Sequence, residues 1–340
     1  MDTSDRAKTS LESLETLETY RCLFSDADFW RLHVQAVCHR HFQVEDCRVR
    51  YVLPGTYPTF IAEERWVVKF FGQLFGGQSA YEKEKEANRL LQHTPGIPAP
   101  ALIAQGYLLE PNGGWSWPYL IFEFIPGVSI DEVYEQLSHP ARLDIAGGLG
   151  KIVRRLHSLP LKGSPVFVQD WQAYTEFLYR QSAGCLEKQR SWGSLPDHLI
   201  DQIEDYLLPP EALIDWSRQP HLIHADLTRD HLLGRVVEGG WQTLGLIDFG
   251  DARVGDLLYE LVALHLDLFD GDPRLLRAFL EAYRSDLVEA DEFPHRAMSS
   301  ALLHEFDVFT GLGRRYPEWQ EVQDLPALAV LIWKTGRTDY

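Results

Sequence analysis

The residues best suited to chemistry lie in two short polar segments, His224-Ala-Asp226 with His231 shortly after it, and Asp248 within Ile247-Asp-Phe-Gly250. Both are set in apolar runs: Leu222-Ile223 precedes the first and Leu232-Leu233 follows it, while Leu244-Gly-Leu-Ile247 leads into the second. An acidic residue at the end of one strand, then another after a hairpin return, is an arrangement suited to phosphoryl transfer. One carboxylate orients the attacking hydroxyl and accepts its proton, and the other holds the metal ion that neutralises the phosphates. Asp226 is the candidate catalytic base. Asp248 is the candidate Mg²⁺ ligand, because a hard cation prefers carboxylate oxygen. A lone Asp in a loop is ordinarily a turn or cap residue, so the assignment rests on the pair. His224 reads as a structural residue that holds its loop through backbone hydrogen bonds.

The spacing fits the motif H-x-D-x-x-x-x-N followed by D-F-G, except that position 231 carries His where an amide binds a second Mg²⁺. Imidazole suits borderline metals better than Mg²⁺. Three readings stay open: His231 ligates metal weakly, it bonds Asp226 or Asp248 and leaves the metal to Asp248, or the site is degenerate. Lys69 ends the run Trp66-Val-Val-Lys69 and matches a strand lysine that pairs with the α- and β-phosphates. Its carboxylate partner belongs on the helix that follows, where Glu82, Glu84 and Glu86 all occur. Counting back from Ile97-Pro-Ala-Pro100 favours Glu86, with Glu84 second. Gly55, in Pro54-Gly-Thr-Tyr-Pro58, is a candidate to lie over the phosphates, although an ordinary hairpin loop explains it equally well. Glu123, Phe124 and Ile125 close the last early strand before a Pro-Gly break, so their backbone groups are candidates to read the adenine edge. Asp256 reads as a helix cap bracing the catalytic loop. Asp251, Glu305 and Asp307 are candidates to meet a cationic acceptor. A solvated turn is the alternative for Asp251, and an exposed helix face for the other two.

These residues need particular elements to position them. Asp28 to Cys38 has helical spacing of apolar residues. Strand-like runs follow at Arg48–Leu53, Thr59–Ala62 and Trp66–Phe71, then a charged helix from about Gln78 to His93. Strands Leu102–Leu108 and Tyr119–Phe124 flank the turn Pro111-Asn-Gly-Gly114. After Ile125-Pro-Gly127 the pattern turns helical: Arg142–Leu159, Trp171–Glu187, Pro196–Leu208, Leu257–Leu268, Pro273–Arg284 and His295–Thr310, interrupted by the hairpin that carries the acidic motifs. The expected fold is α+β and bilobal, protein-kinase-like, with a small β-rich N-terminal lobe at 26–125 and a larger, mainly helical C-terminal lobe at 126–340. Residues 1–25 read as a poorly ordered leader.

At 340 residues with 45% hydrophobic and 12% aromatic content, the chain has material for a full core. Its 32 basic and 50 acidic residues give a net charge of −18, which argues against nucleic acid as a partner and suits a cationic small molecule. Four cysteines without metal-type spacing read as reduced thiols. With no apolar signal core and no uninterrupted apolar span, the expected location is cytoplasmic, with no membrane association.

With these segments assembled, the chain resembles the aminoglycoside phosphotransferase family, and within it the hygromycin B O-kinases of antibiotic-producing bacteria. The resemblance is carried by Val67-Val-Lys-Phe-Phe-Gly72, Trp115-Ser-Trp-Pro-Tyr-Leu120, His224-Ala-Asp226, Ile247-Asp-Phe249, Gly255-Asp256 and Leu303-His-Glu-Phe-Asp-Val-Phe309, in matching order over residues 25 to 310. It implies phosphorylation of a hydroxyl on an aminocyclitol or similar sugar-like compound, dependent on ATP (or GTP) and Mg²⁺. Kinases of other antibiotics, sugars or amino-alcohols, and a nucleotide-binding pseudokinase, are the alternatives. A protein kinase ranks last, for want of a G-x-G-x-x-G loop and an A-P-E segment.

Overall fold

A computed structural model describes residues 11, 14, 16–24, 26–51, 55–92, 94–110, 114–287 and 290–335. Residues 1–10 of the expected leader, Pro54 of the candidate phosphate loop and turn residues 111–113 lie outside the described residues. The chain divides into two compact units: Met1–His93 with Pro98–Gly127 and Gly245–Asp251, and Thr94–Ile97 with Val128–Leu244 and Ala252–Tyr340. Two segments depart from the expected division near residue 125, and of these Thr94–Ile97 packs with the second unit. Gly245–Asp251, which holds Asp248, packs with the first unit.

The first unit is built on an antiparallel sheet of β1 (Val49–Tyr51), β2 (Thr59–Ala62), β3 (Trp66–Phe70), β4 (Leu102–Tyr107) and β5 (Pro118–Glu123), in the order β1-β2-β3-β5-β4. Helix α1 (Leu17–Phe24) forms where a poorly ordered leader was expected, because Tyr20 is buried in the core and its hydroxyl donates to the Thr56 carbonyl at 2.8 Å. Helix α2 (Ala27–Phe42) starts at Asp26, whose side chain caps the amides of Asp28 and Phe29. Trp30 of α2 stacks on Phe70 with ring centroids 5.0 Å apart, in a core that includes Val34, Phe60, Val68 and Ile121. The period-two alternation of β3 sends Val68 and Phe70 into that core and turns Lys69 the other way. Lys69 pairs with Thr59 on β2 and Leu120 on β5, and Leu120 lies in the second cluster with Tyr57, Phe71, Tyr81 and Phe122. Helix α3 (Gly77–Leu91) covers this face. Its buried stripe Gly77, Ala80, Tyr81, Glu84, Ala87, Asn88 and Leu91 follows helical spacing. Gly77 is required there, since a Cβ would stand 1.8 Å from the Gly72 carbonyl oxygen.

The second unit is mainly helical, so the mixed α+β class and kinase-like architecture hold. Helix α4 (His139–Leu156) packs on α9 (Pro273–Tyr283) so closely that a Cβ on Gly150 would lie 2.4 Å from the Phe279 carbonyl oxygen. Helix α5 (Trp171–Trp192) is longer than expected, and the helix expected over 196–208 is two short ones, α6 (Asp197–Ile200) and α7 (Ile203–Tyr206). Gln202, at the break, ties its side chain to the carbonyls of His198 and Gln323. Strands β6 (Val128–Ser129), β8 (Leu232–Val237) and β9 (Gly240–Leu246) form one small sheet. Strands β7 (His221–Ile223) and β10 (Arg253–Gly255) form another, with His221 opposite Gly255. Helix α8 (Leu257–Ala263) opens on the Asp256 cap and widens into a π-helical turn at Leu264–Leu268. Helix α10 (Phe293–Leu302) ends well short of Thr310, the expected limit, because His304, Glu305 and Asp307 are drawn into hydrogen bonds with Ala225, Tyr259 and Ser194. Helix α11 (Leu325–Trp333) follows. No helix among the described residues is long and apolar enough to cross a membrane.

Candidate active site

In the first unit, Lys69 is almost wholly buried and its ammonium donates at 2.8 Å to Glu84 Oε2 and at 2.8 Å to Asp248 Oδ1. Tyr57 and Phe71 present their rings to the same ammonium, with centroids 5.8 and 5.4 Å away. Burial pulls the lysine pKa down, but the two carboxylates outweigh it and hold the group above its ordinary value. The ammonium is therefore charged at neutral pH, held by two carboxylates that leave the cluster without a net positive charge.

The lysine's carboxylate is thus Glu84, not Glu86. Glu84 lies on the stripe of α3 that faces the sheet, whereas Glu86, also buried, is about 200° further round the helix and forms a two-toothed ion pair with Arg89 at 2.6 and 2.7 Å. Asp248 adopts a left-handed backbone, φ 63°, uncommon for a residue with a side chain. Its carboxylate is about one-third exposed, and a Cβ on neighbouring Gly250 would sit 3.6 Å from Ala80 of α3. Asp251 is half-buried in the same turn. Gly55 is exposed, with open space where a side chain would project. Of the three candidate adenine readers, Glu123 donates its N–H to Ala101 and Phe124 donates to Arg65, both at 2.9 Å. Ile125 is the one whose N–H makes no bond to the described residues.

In the second unit, the loop carrying Asp226 is clamped from several sides. Ala225 has a left-handed backbone, φ 67°. Its N–H donates to Glu260 Oε2 at 2.8 Å, and its carbonyl accepts from His304 Nε2 at 3.3 Å. His304 Nδ1 in turn accepts from the Phe306 N–H, which fixes the neutral tautomer, and its ring stacks on Tyr259 at 4.7 Å. Burial drives the His304 pKa down to about 3 and lifts the Glu260 carboxyl to about 7. Further along, the Arg229 N–H donates to Asp267 Oδ1 at 2.8 Å from the π-helical turn. His231 Nδ1 bonds the backbone carbonyl of Asp226 at 2.6 Å and lies 3.6 Å from Asp226 Oδ2. His224 is fully buried, 5.8 Å from the His231 ring. The Asp226 side chain keeps about one-fifth of its surface exposed.

Asp256 caps α8 through the Leu258 N–H at 3.0 Å and also accepts from the Asp215 N–H at 2.9 Å. Two of the three acids offered for a cationic acceptor, Glu305 and Asp307, are already engaged. Glu305 pairs with Arg253, while Asp307 takes the hydroxyls of Ser194 and Thr310 and the N–H of Phe309. Neither lies on a helix. Glu260, His304 and Asp267 are the supports that sequence patterning missed. Among the described residues, no three His, Cys, Asp or Glu side chains gather as a metal-binding group. A Mg²⁺ held mainly by phosphates and water needs only one or two carboxylates, and Asp248 fits that demand.

A family model described as the phosphotransferase enzyme family matches residues 56–293. The chain is similar in fold to the GDP and kanamycin complex of APH(2")-IIIa, with a TM-score of 0.63, 20% identity and coverage of 88% of this chain and 97% of that one. The streptomycin–ATP–APH(2")-IIa ternary complex aligns with a TM-score of 0.57 and 19% identity over 88% and 98% of the two chains. A thermostable mutant of the aminoglycoside phosphotransferase APH(4)-Ia, in a ternary complex with ADP and hygromycin B, aligns with a TM-score of 0.54 and 14% identity over 90% and 99%. A stretch of 260 residues is 23% identical to part of an Arabidopsis thaliana protein named lysine-specific demethylase JMJ21, covering 61% of this chain. The chain spans 27% of that protein's length.

Proposed function

The chain belongs to the phosphotransferase enzyme family, and from that premise we propose that it transfers the γ-phosphoryl group of ATP, or of GTP, to a hydroxyl of a small cationic or sugar-like acceptor. An aminoglycoside or aminocyclitol comes first, with hygromycin B the leading member on the segments around Trp115 and Leu303. The observation that carries the reading is the buried Lys69–Glu84–Asp248 cluster. An ammonium held charged in an apolar shell, with an aspartate beside it, is suited to a polyphosphate and its cation. Lys69 binds the α- and β-phosphates, and Glu84 fixes its direction. Asp248 holds Mg²⁺, which neutralises phosphate charge when bound. The Ile125 N–H takes the adenine edge. Asp226 orients the acceptor hydroxyl and receives its proton, while His231, bound to the Asp226 backbone, acts as a positioning residue. The net charge of −18 favours a cationic acceptor.

The test is ATP consumption and mass analysis of products across kanamycin, streptomycin, hygromycin B and a panel of sugars and amino-alcohols. Asp226→Asn is expected to lower kcat by about 10²–10⁴-fold, with nucleotide affinity unchanged. The reading fails if no acceptor is phosphorylated and the variant matches the parent. Nucleotide binding without transfer to any acceptor would instead favour a pseudokinase, a reading motivated by the His231–Asp226 bond.

A further inference from the structure

A cavity of about 310 Å³ in the second unit is lined by Arg154, Arg218 and Arg284 around the imidazoles of His157 and His221. It shares no residue with the proposed reaction site. Arg284 is compensated by Asp215 at 3.0 Å and Asp286 at 3.3 Å. Arg154 and Arg218 have no ion-pair partner among the described residues and are exposed. The two imidazoles lie 4.0 Å apart, centroid to centroid. His157 Nδ1 bonds the Tyr283 hydroxyl at 2.8 Å, and the buried Nε2 atoms of both rings make no hydrogen bond to the described residues. With the Tyr283 hydroxyl donating, the His157 proton sits on Nε2, a donor lacking its acceptor, whereas His221 Nδ1 donates to the Gln219 carbonyl at 3.4 Å and leaves its own Nε2 as an acceptor. An orphaned donor beside uncompensated guanidiniums suits a multiply charged oxyanion.

We propose that this cavity is a binding site for a small phosphate-bearing anion, either a phosphomonoester or inorganic phosphate. The uncompensated guanidiniums of Arg154 and Arg218 grip the phosphoryl oxygens, and the cavity's volume leaves room for a short carbon skeleton. Both partners are surface side chains, so their loss spares the core.

The test is isothermal titration of the full chain at fixed ionic strength, saturated with ADP, using glycerol 3-phosphate, inorganic phosphate and acetate as probes. One-site binding of a phosphate probe is expected, weakened at least about tenfold in Arg154→Gln/Arg218→Gln, the loss of one charge-assisted hydrogen bond or more. Tighter binding of glycerol 3-phosphate identifies the ester, and equal binding identifies the phosphoryl group alone. The same binding in Lys69→Met separates this site from the nucleotide site. The proposal is overturned if neither phosphate probe binds below about 10 mM, if the double variant binds them undiminished, or if acetate binds as tightly.

Discussion

Lys69 is an ammonium with almost no access to water, so its charge depends on the two carboxylates that touch it. Glu84→Gln is expected to weaken nucleotide binding by about 10–100-fold, the value of a charge-assisted hydrogen bond, while Glu86→Gln leaves it unchanged. Titration of both variants with ATP decides this, and equal losses would refute the assignment. Glu260 has a different signature. Its folded-state pKa is raised from 4.5 to about 7 by burial, so between those values the folded protein keeps a proton that the unfolded chain has lost. That contribution to stability is complete below pH 4.5 and is lost as pH rises to about 7, on the order of 3 kcal/mol. Urea midpoints measured across this range are expected to fall with pH in the parent and to flatten in Glu260→Gln. Lys69 and Asp226 were legible because each stands at a strand end with its neighbours in register. Glu84 was legible too, since it falls on the helical stripe of Ala80, Ala87 and Leu91 and Glu86 does not. Glu260 and His304 were not, since they reach Ala225 across 35 and 79 residues and carry no local pattern.

Elements hold these residues by close approach. The α4–α9 pair meets where Gly150 admits the Phe279 carbonyl. Gly150→Ala gains about 1 kcal/mol of helix propensity, yet its methyl must displace backbone, at a cost of about 1–3 kcal/mol. The expected result is a net loss of stability, read as a lower Tm. The strands of the first sheet were legible to within a residue or two because period-two alternation is strong there, as in β3. Helix ends were harder. The chain leaves α10 after Leu302 because His304, the Glu305 N–H and Asp307 find tertiary partners in Ala225, Tyr259 and Ser194 that compete with another helical turn. That competition moves Glu305 and Asp307 from an expected exposed face into ion-paired and turn-capping roles.

At the scale of the whole molecule, 50 acidic against 32 basic residues create a negative field that draws cations and is screened by salt. If the acceptor is a polyamine sugar, kcat/KM is expected to fall several-fold between about 50 and 500 mM salt, and a neutral sugar to show little change. Steady-state rates at both salt levels separate the two. Composition made this field legible, but the placement of Gly245–Asp251 in the first unit was hidden, because it depends on a contact between residues far apart in the chain. Lys69 and Asp248 are separated by 179 positions. During synthesis from the N-terminus, the first unit therefore waits, its buried lysine held by Glu84 alone, until most of the second unit has been made. The protein cannot finish its smaller half first.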